Sequence, residues 1–201
     1  IDDKVAFTGG VNLADEYANE ITRFGHWKDT AIMLKGDAVQ SFTMLFLEMW
    51  AVNQMEPADC QNYLTPKHVV PDPPHGYVIP YGDHPYDNEN VGEEVYFHIL
   101  NHSKKYVHIM TPYLILDSEM ITTLTRAAKS GIEVIIIMPH IPDKWYAFVL
   151  AHTYYKELIQ AGVSIYEYTP GFTHAKMFIS DDEKATVGTI NLDYRSLYLH
   201  F

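Results

Sequence analysis

Apolar residues in the second half of the chain recur at two alternating spacings. The stretch YVHIM, Tyr106–Met110, alternates apolar and polar positions as a strand does. From Asp117 to Gly131 the apolar residues recur at helical spacing, with Asp117 or Ser118 as the N-cap and Gly131 as the end. The other elements predicted here are a helix near 90–103, a buried strand over Ile132–Pro139, a helix over roughly 144–161 that ends at Gly162, and strands in VSIYEY, AKMFIS and KATVG. Alternating strands and helices predict an α/β sandwich with a mostly parallel or mixed sheet.

The first quarter of the chain carries a similar but shorter pattern. Val5–Thr8 and Thr30–Gly36 have the alternation of short strands. The apolar residues that follow recur at helical spacing and predict an amphipathic helix over roughly 37–53. The predicted apolar face consists of Val39, Phe42, Phe46, Met49 and Trp50.

A change in amino-acid composition separates these two parts of the chain. Seven of the eleven prolines lie between Pro57 and Pro85, together with Asp, Asn and Gly. This composition predicts a loop or linker, with room for one strand at Tyr77–Tyr81.

The charge balance narrows the range of partners. The chain has 201 residues, 14 Lys and Arg and 26 Asp and Glu, a formal net charge of −12. An acidic surface repels phosphate backbones, so nonspecific nucleic-acid binding is not expected. Cys60 is the single cysteine, so no internal disulfide can form. The chain contains no run of about 18 apolar residues, so no transmembrane helix is predicted.

A block near the end concentrates polar residues at fixed spacing. FTHAKMFISDDEKATVGTINLDYRS, Phe172–Ser196, contains the pattern H-x-K-x4-D-x6-G-T-x-N. His174 and Lys176 lie two apart on a predicted strand, so we expect both side chains on one face of the sheet. The following turn would bring Thr189 and Asn191 beside them.

This set of side chains suits a phosphodiester. Lysine and asparagine donate hydrogen bonds to nonbridging phosphate oxygens, and histidine can attack phosphorus or protonate the leaving oxygen. If one histidine attacks and a second supplies the proton, the site requires two copies of the block. The start of the chain, IDDKVAFTGGVNLADEY, aligns with the second part of that block through Asp2, Gly9, Gly10 and Asn12. A matching His and Lys would precede Ile1, and we interpret the chain as a piece of a longer protein.

The full spacing, with NLDYRS after it, resembles the signature of the phospholipase D superfamily. FTGGVNLADEY, FGHWKDT, DNENVGEEVY, TPYLILD, YEYTPGFTHAK and GTINLDYRS resemble the bacterial cardiolipin synthases of that superfamily most closely. The resemblance extends over almost the whole chain except Ala58–His75.

The resemblance implies a phospholipase D-like α-β-α sandwich with a mixed sheet, built from two pseudo-twofold halves that are both truncated here. It divides the chain into the C-terminal part of the first half (1–56), a Pro-rich linker (57–75) and a second half with its motif (76–201). It implies transfer of a phosphatidyl group between two phosphatidylglycerol molecules through a phosphohistidine, with release of glycerol and without metal or cofactor. The parent protein would act at the bacterial cell membrane, whereas this region itself would be soluble.

The resemblance also suggests roles for single residues. His174, Lys176, Asp181 and Asn191 match the catalytic motif, supported by Gly188, Thr189, Asp2, Asn12 and Asp29. Because the first histidine of related enzymes is commonly the nucleophile, His174 is assigned the acid/base role. A carboxylate that follows the motif asparagine often orients the histidine. Asp29 is its candidate after Asn12, but the equivalent after Asn191 falls beyond Phe201, so His174 is expected to lack an orienting partner. His200 replaces the family's usual asparagine.

Simpler interpretations remain for several of these residues. The simpler role of Asp2 and Asp181 is to stabilise the geometry where a strand meets a turn, and not to transfer protons. The simpler role of Gly9, Gly10 and Gly188 is that of turn glycines. His98 and His102 lie four apart on a predicted helix and could bind a metal, although no third ligand is evident. The aromatic residues Trp145, Tyr146 and Phe148 beside Lys144 could touch lipid, but aromatic residues at helical spacing are usually core.

Three functions stay open from the sequence. The first is the cardiolipin-forming phosphatidyltransferase. The second is another superfamily enzyme, namely a phospholipid hydrolase, a phosphatidylserine synthase or a nuclease, of which the net charge disfavours the nuclease. The third is an inert fragment, because one His and one Lys are missing. A homodimer that pairs two His174 sites would escape this limit.

Overall fold

A computed structural model describes residues 1–54, 60–64, 76–85 and 88–199. The chain forms two compact units, and neither is a continuous segment. Unit 1 comprises Ile1–Thr8 and Ile32–Gly82, and unit 2 comprises Gly9–Ala31 and Asp83–Phe201. The predicted division at 56 and 75 is not tested by this arrangement and stays a prediction.

Unit 1 is built around two strands and one helix. β1 (Val5–Gly9) lies beside β3 (Ala31–Lys35), and α1 (Ala38–Gln54) follows after a turn. Val39 is buried, and the Thr43 hydroxyl donates to the buried Asp3 carboxylate at 2.6 Å. The predicted helix is confirmed. On its apolar face Val39 is buried, whereas Phe46, Met49 and Trp50 are exposed by more than half of their surface.

Unit 2 contains a five-stranded mixed sheet. Its order is β10 (Lys184–Val187), β9 (Met177–Ser180), β4 (Tyr106–Met110), β6 (Glu133–Pro139) and β7 (Ser164–Tyr168). β4, β6 and β7 are parallel, whereas β9 is antiparallel to β4 and β10. The apolar run that predicted a buried strand over Ile132–Pro139 therefore forms the parallel strand β6, as expected for a strand with neighbours on both sides.

Three helices complete this core. They are α2 (Val91–His102), α3 (Ser118–Lys129) and α4 (Trp145–Ala161). The Asp117 carboxylate caps α3 by accepting from the Met120 backbone N–H at 2.7 Å, and Gly162 ends α4 at a φ of 104°. All three helices contribute apolar residues to one buried cluster, which also contains alternate residues of β4 and β6 and a residue of β9. The predicted α/β class with a mixed sheet is confirmed.

Two short parallel pairs lie outside the main sheet and lead to the polar residues of interest. β2 (His26–Lys28) pairs with β8 (Gly171–Thr173), and β5 (Leu114–Ile115) pairs with β11 (Leu192–Asp193). The helix α5 (Tyr194–Tyr198) follows β11 directly, with Asp193 accepting from the Ser196 N–H at 2.8 Å.

Two local predictions are wrong. Within the described residues, Tyr77–Tyr81 forms no strand. His174 and Lys176 do not lie within a strand either. They occupy the connection between β8 and β9, which belong to different sheets.

Candidate active site

The pairing of β2 with β8 brings two distant parts of the chain together. His26, Trp27 and Lys28 lie opposite Gly171, Phe172 and Thr173 in parallel register. The backbone N–H of His174 donates to the Lys28 carbonyl at 2.7 Å. Because both strands run in the same direction, the residues that follow them, Asp29 and His174, emerge side by side.

The His174 imidazole is held by the Asp29 carboxylate. His174 Nδ1 and Asp29 Oδ2 lie 2.9 Å apart, with 13% and 5% of the two side chains exposed. A carboxylate can only accept, so Nδ1 carries the proton of this bond and Nε2 is left for chemistry. The expectation that His174 lacks an orienting partner is wrong. Asp29, expected to serve the first half, orients the histidine of the second.

Aromatic rings and a glycine fix this pair. The ring centroids of Tyr17, Trp27 and Phe172 lie 5.3, 5.5 and 5.9 Å from that of His174. A Cβ on Gly10 would lie 2.3 Å from Asp29 Oδ1 and 2.7 Å from the His174 carbonyl oxygen. Gly10 is therefore required for close approach.

Gly188 shows no such requirement. A Cβ there would meet nothing within 4 Å, and its φ lies outside the left-handed region. Its backbone N–H donates to the Lys176 carbonyl at 3.3 Å. Gly9, by contrast, has a φ of 155° and would place a Cβ 2.3 Å from the Thr30 carbonyl oxygen.

Lys176 is the buried cation of the site. Only 5% of its surface is exposed, and its Nζ donates to the His174 carbonyl. Burial lowers the pKa of Lys176 to about 7, against the opposing attraction of the Asp29, Asp193 and Asp143 carboxylates. A bound anion would therefore stabilise the ammonium form of Lys176.

A cavity of about 670 Å³ in unit 2 unites most of the predicted residues. His174, Lys176, Thr189, Asn191 and Asn12 all line it. The Asn191 amide donates to the Ser196 hydroxyl at 3.0 Å, while its Oδ1 is buried without a hydrogen-bond partner in the described structure. The Asn12 amide donates to the Tyr17 hydroxyl at 2.8 Å.

Two predicted aspartates lie elsewhere. Asp181 is at the opposite end of β9 from Lys176, at a φ of 56°, and accepts from the backbone N–H groups of Lys104, Lys105 and Tyr106 at 2.7 to 2.9 Å. These bonds, first that from Tyr106, hold the pKa of Asp181 below its usual range. The grouping of Asp181 with the catalytic side chains is therefore not supported by position. Asp2, at a φ of 51°, belongs to unit 1 and lines a different depression there.

The remaining candidates give no second site. The rings of His98 and His102 stack with centroids 4.1 Å apart, and His102 Nδ1 bonds the His98 carbonyl oxygen at 2.8 Å. Throughout the described ranges, no three His, Cys, Asp or Glu side chains form a group that could hold a metal ion. Trp145 and Tyr146 are exposed rather than core, with 73% and 59% of their surfaces open. His200 lies outside the described residues.

Sequence reasoning did not assign to the site several residues that line the cavity, among them Tyr113, Lys144 and Arg195. Tyr113 donates its hydroxyl to Asp143 at 2.6 Å, and burial raises its pKa. The Lys144 ammonium lies 5.1 Å from the centre of the Tyr113 ring, and Arg195 reaches the cavity from α5. The letters TPYLILD and NLDYRS, which carry the family resemblance, were the only signals for Tyr113 and Arg195, and Lys144 had none beyond its position at the start of a predicted helix.

Comparison with known proteins gives a consistent result. Residues 96–201 match the family described as cardiolipin synthase, PLD-like domain. An uncharacterised protein of Streptococcus mutans is 60% identical over 100% of this chain and 43% of its own length. Cardiolipin synthase of Geobacillus kaustophilus is 37% identical over 100% of this chain and 40% of its own length. The chain thus spans about 40% of the length of the curated relatives it matches.

The fold has a solved counterpart. The crystal structure of phosphatidylserine synthase from Haemophilus influenzae superposes with a TM-score of 0.63 at 14% identity, over 98% of this chain and 54% of that one. At this identity the likeness concerns the fold alone. Within the described residues no helix is long and apolar enough to cross a bilayer. The predicted membership of the phospholipase D superfamily is confirmed, and the chain belongs to the cardiolipin synthase family of phospholipase D-like domains.

Proposed function

We propose that the natural protein containing this region transfers a phosphatidyl group from one phosphatidylglycerol to another, with release of glycerol. The observation that carries the proposal is the His174–Asp29 pair beside the buried Lys176 in one cavity. An oriented imidazole and a cation are the groups that phosphoryl transfer from a diester requires. The cardiolipin synthases among the relatives support the choice of substrate.

The cavity offers donors for a phosphate. Lys176, the amide of Asn191 and the hydroxyl of Thr189 can donate to its nonbridging oxygens, and they stabilise the charge that grows there in the transition state. The lowered pKa of Lys176 makes this group sensitive to an arriving anion, which would restore its charge.

The proposed reaction proceeds in two balanced steps. In the first, a histidine nitrogen forms a bond to phosphorus while the P–O bond to glycerol breaks, and a second histidine gives a proton to the leaving oxygen. In the second, a hydroxyl of the next phosphatidylglycerol loses its proton to that second histidine and attacks phosphorus as the N–P bond breaks. His174 is assigned the acid/base role, because Asp29 stabilises the imidazolium that forms when Nε2 takes a proton.

This scheme needs a histidine in addition to His174. Among the described residues His174 is the sole histidine that lines the cavity. The proposal therefore requires the nucleophile from another part of the natural protein or from a second copy of the chain. The membrane surface is the expected location of the substrate, and the net charge of −12 argues against a nucleic acid.

The test uses the full-length natural protein with phosphatidylglycerol in mixed micelles. Cardiolipin, phosphatidic acid and glycerol are followed together for the wild type, for His174→Asn and for the control His98→Asn, which replaces an exposed histidine on α2. We expect cardiolipin and glycerol from the wild type and the control, and neither from His174→Asn.

Two results would overturn the proposal. Phosphatidic acid without cardiolipin from the wild type would show a hydrolase. Full activity of His174→Asn would remove His174 from the mechanism.

A further inference from the structure

Two cations line the cavity without a role in the chemistry described so far. Lys144 immediately precedes α4, and Arg195 is in the first turn of α5, so they reach the cavity from elements that carry neither His174 nor Lys176. Both residues are exposed, and within the described ranges neither forms an ion pair with a carboxylate. They differ in exposure from Lys176, which is buried and donates to a backbone carbonyl.

Among the residues that line the cavity, basic side chains outnumber carboxylates, whereas the whole chain is acidic. The Asp29 and Asp143 carboxylates lie behind this lining, in contact with His174 and Tyr113. The protein carries 14 basic and 26 acidic residues, yet Lys144, Lys176 and Arg195 line the cavity with a single carboxylate, that of Asp193. One oxygen of Asp193 is already engaged by the Ser196 N–H at 2.8 Å. Three basic side chains that line one cavity, with one carboxylate among the lining residues, suit an anionic ligand.

Lys144 is held in place without being neutralised. Its ammonium lies 5.1 Å from the centre of the Tyr113 ring, and the Tyr113 hydroxyl donates to Asp143 at 2.6 Å. A cation–π contact of this kind orients an ammonium but leaves its N–H groups free to donate. The Lys144 ammonium is therefore oriented and able to donate hydrogen bonds to an oxyanion.

We propose that Lys144 and Arg195 form a second anion subsite, which holds the phosphodiester of the accepting lipid while His174 and Lys176 act on the phosphoryl group being transferred. This inference rests on the proposed function. Transfer between two phospholipids places two negative phosphodiesters in one cavity of about 670 Å³, and their repulsion must be offset by cations on each. Arginine binds such an oxyanion through two parallel N–H groups, and lysine adds a point charge.

The subsite gives the enzyme a means of choosing its acceptor. Water and neutral alcohols lack a phosphate and gain nothing from Lys144 or Arg195. An acceptor with a phosphate is concentrated and oriented beside the phosphoryl group, so transfer outcompetes hydrolysis.

The experiment offers three acceptors to the full-length natural protein with a labelled phosphatidylglycerol donor. They are ethanol, which is neutral, glycerol 3-phosphate, which is anionic but has no acyl chains, and phosphatidylglycerol. We expect Lys144→Gln and Arg195→Gln each to lower the ratio of either anionic-acceptor product to phosphatidylethanol by roughly 10- to 100-fold, the value of one charged hydrogen bond. The Michaelis constant for the acceptor should rise, and Lys144→Arg and Arg195→Lys should recover most of the ratio.

The controls separate this inference from the proposed function. Lys156→Gln removes an exposed lysine of α4 that does not line the cavity, and should leave all three products unchanged. A wild type that makes no cardiolipin overturns the proposed function, whatever the variants do. Equal loss of all three products in both Gln variants would place the two cations on the donor phosphate and overturn the subsite. Loss confined to phosphatidylglycerol would show contact with acyl chains instead of an anion, and an unchanged ratio would show no subsite.

Discussion

Two aspartates, Asp29 and Asp181, differ in how the sequence and the structure relate them to His174. Asp181 lies within the same motif and close along the chain, yet its carboxylate is occupied by three backbone N–H groups where β9 turns into β10. Asp29 is 145 positions away, and its carboxylate contacts the imidazole. Asp181 shapes the turn behind the site, and Asp29 belongs to the site.

The difference shows that the residues of a sequence motif can have different roles. Residues at fixed spacing can be required for the backbone path that presents a catalytic group as well as for its chemistry. The partner that tunes the histidine can come from any segment that the fold brings alongside, here through the parallel pairing of β2 with β8. The following predictions test whether this division between Asp29 and Asp181 holds.

Asp29→Asn should have the largest effect on activity. The amide has the shape of the carboxylate but cannot stabilise an imidazolium or fix the same tautomer, so kcat in the full-length protein should fall on the order of 10²- to 10⁴-fold. The measurement is phosphatidylglycerol turnover, with thermal melting to confirm that the variant is folded. Asp182→Asn, on an exposed neighbour of Asp181, is the matched control. A loss of less than a few-fold would deny Asp29 its orienting role.

Gly10→Ala should have the second-largest effect on activity. The new methyl carbon would begin 2.3 Å from Asp29 Oδ1 and 2.7 Å from the His174 carbonyl oxygen, so the pair must move apart. A displacement of this order costs about 10²-fold in rate. Gly188→Ala is the comparison, since its Cβ meets nothing within 4 Å and the residue does not line the cavity. Similar losses in the two variants would mean that the contact with Asp29 is not what matters.

The third prediction concerns pH and Lys176. Burial lowers the pKa of this lysine to about 7, so a bound phosphodiester, which favours the ammonium, should raise that pKa. Affinity for a soluble phosphodiester such as glycerophosphoglycerol should then fall by up to about tenfold per pH unit as pH rises above 7. Calorimetry on His174→Asn excludes the imidazole from the result, and Lys176→Met should abolish the slope.

The same shift has a consequence for stability. Between pH 7 and the ordinary pKa of lysine, the unfolded chain binds more protons at Lys176 than the folded chain does, so this group makes the free energy of unfolding rise with pH in that window. Lys176→Met should flatten the rise. A slope of opposite sign at Lys176 would contradict the burial seen here.

Asp181→Asn should have the smallest effect on turnover, within about twofold, because its carboxylate is outside the cavity. Its effect should be on melting temperature. The pKa of Asp181 is lowered by the backbone donors, so its stabilising contribution is present at neutral pH and lost as pH falls through the folded pKa. Melting curves of the two proteins should therefore separate at pH 7 and converge in acid. A large loss of turnover in a fully folded Asp181→Asn would return this residue to the catalytic group.

Much of the fold was predictable because its signals are local. The cap at Asp117, the left-handed Gly162 and the apolar run of β6 each act within a few residues, and each forms as predicted. The exposure of much of the apolar face of α1 was not predictable, since periodicity shows which residues share a face and not whether another element covers it. The same limit explains the exposed Trp145 and Tyr146.

The sequence predicted several of the residues that line the site but not which of them contact one another. The motif brought His174, Lys176, Thr189 and Asn191 to one cavity, as expected from their spacing. Nothing in the sequence says that Asp29 contacts His174, because that depends on a pairing between strands of three residues each. The path of the chain at His174–Lys176 was mistaken for one strand because an extended connection between two sheets has the same alternation.

The pairing of β2 with β8 also determines when the contact between His174 and Asp29 can form during protein synthesis. Asp29 leaves the ribosome 145 residues before His174, a delay of roughly 7 to 30 s at ordinary elongation rates. During that time β2 has no partner strand, and its edge is open to other chains or to chaperones. The imidazole of His174 can meet the Asp29 carboxylate only after the whole stretch between them has been made, so this contact forms late in the synthesis of the region.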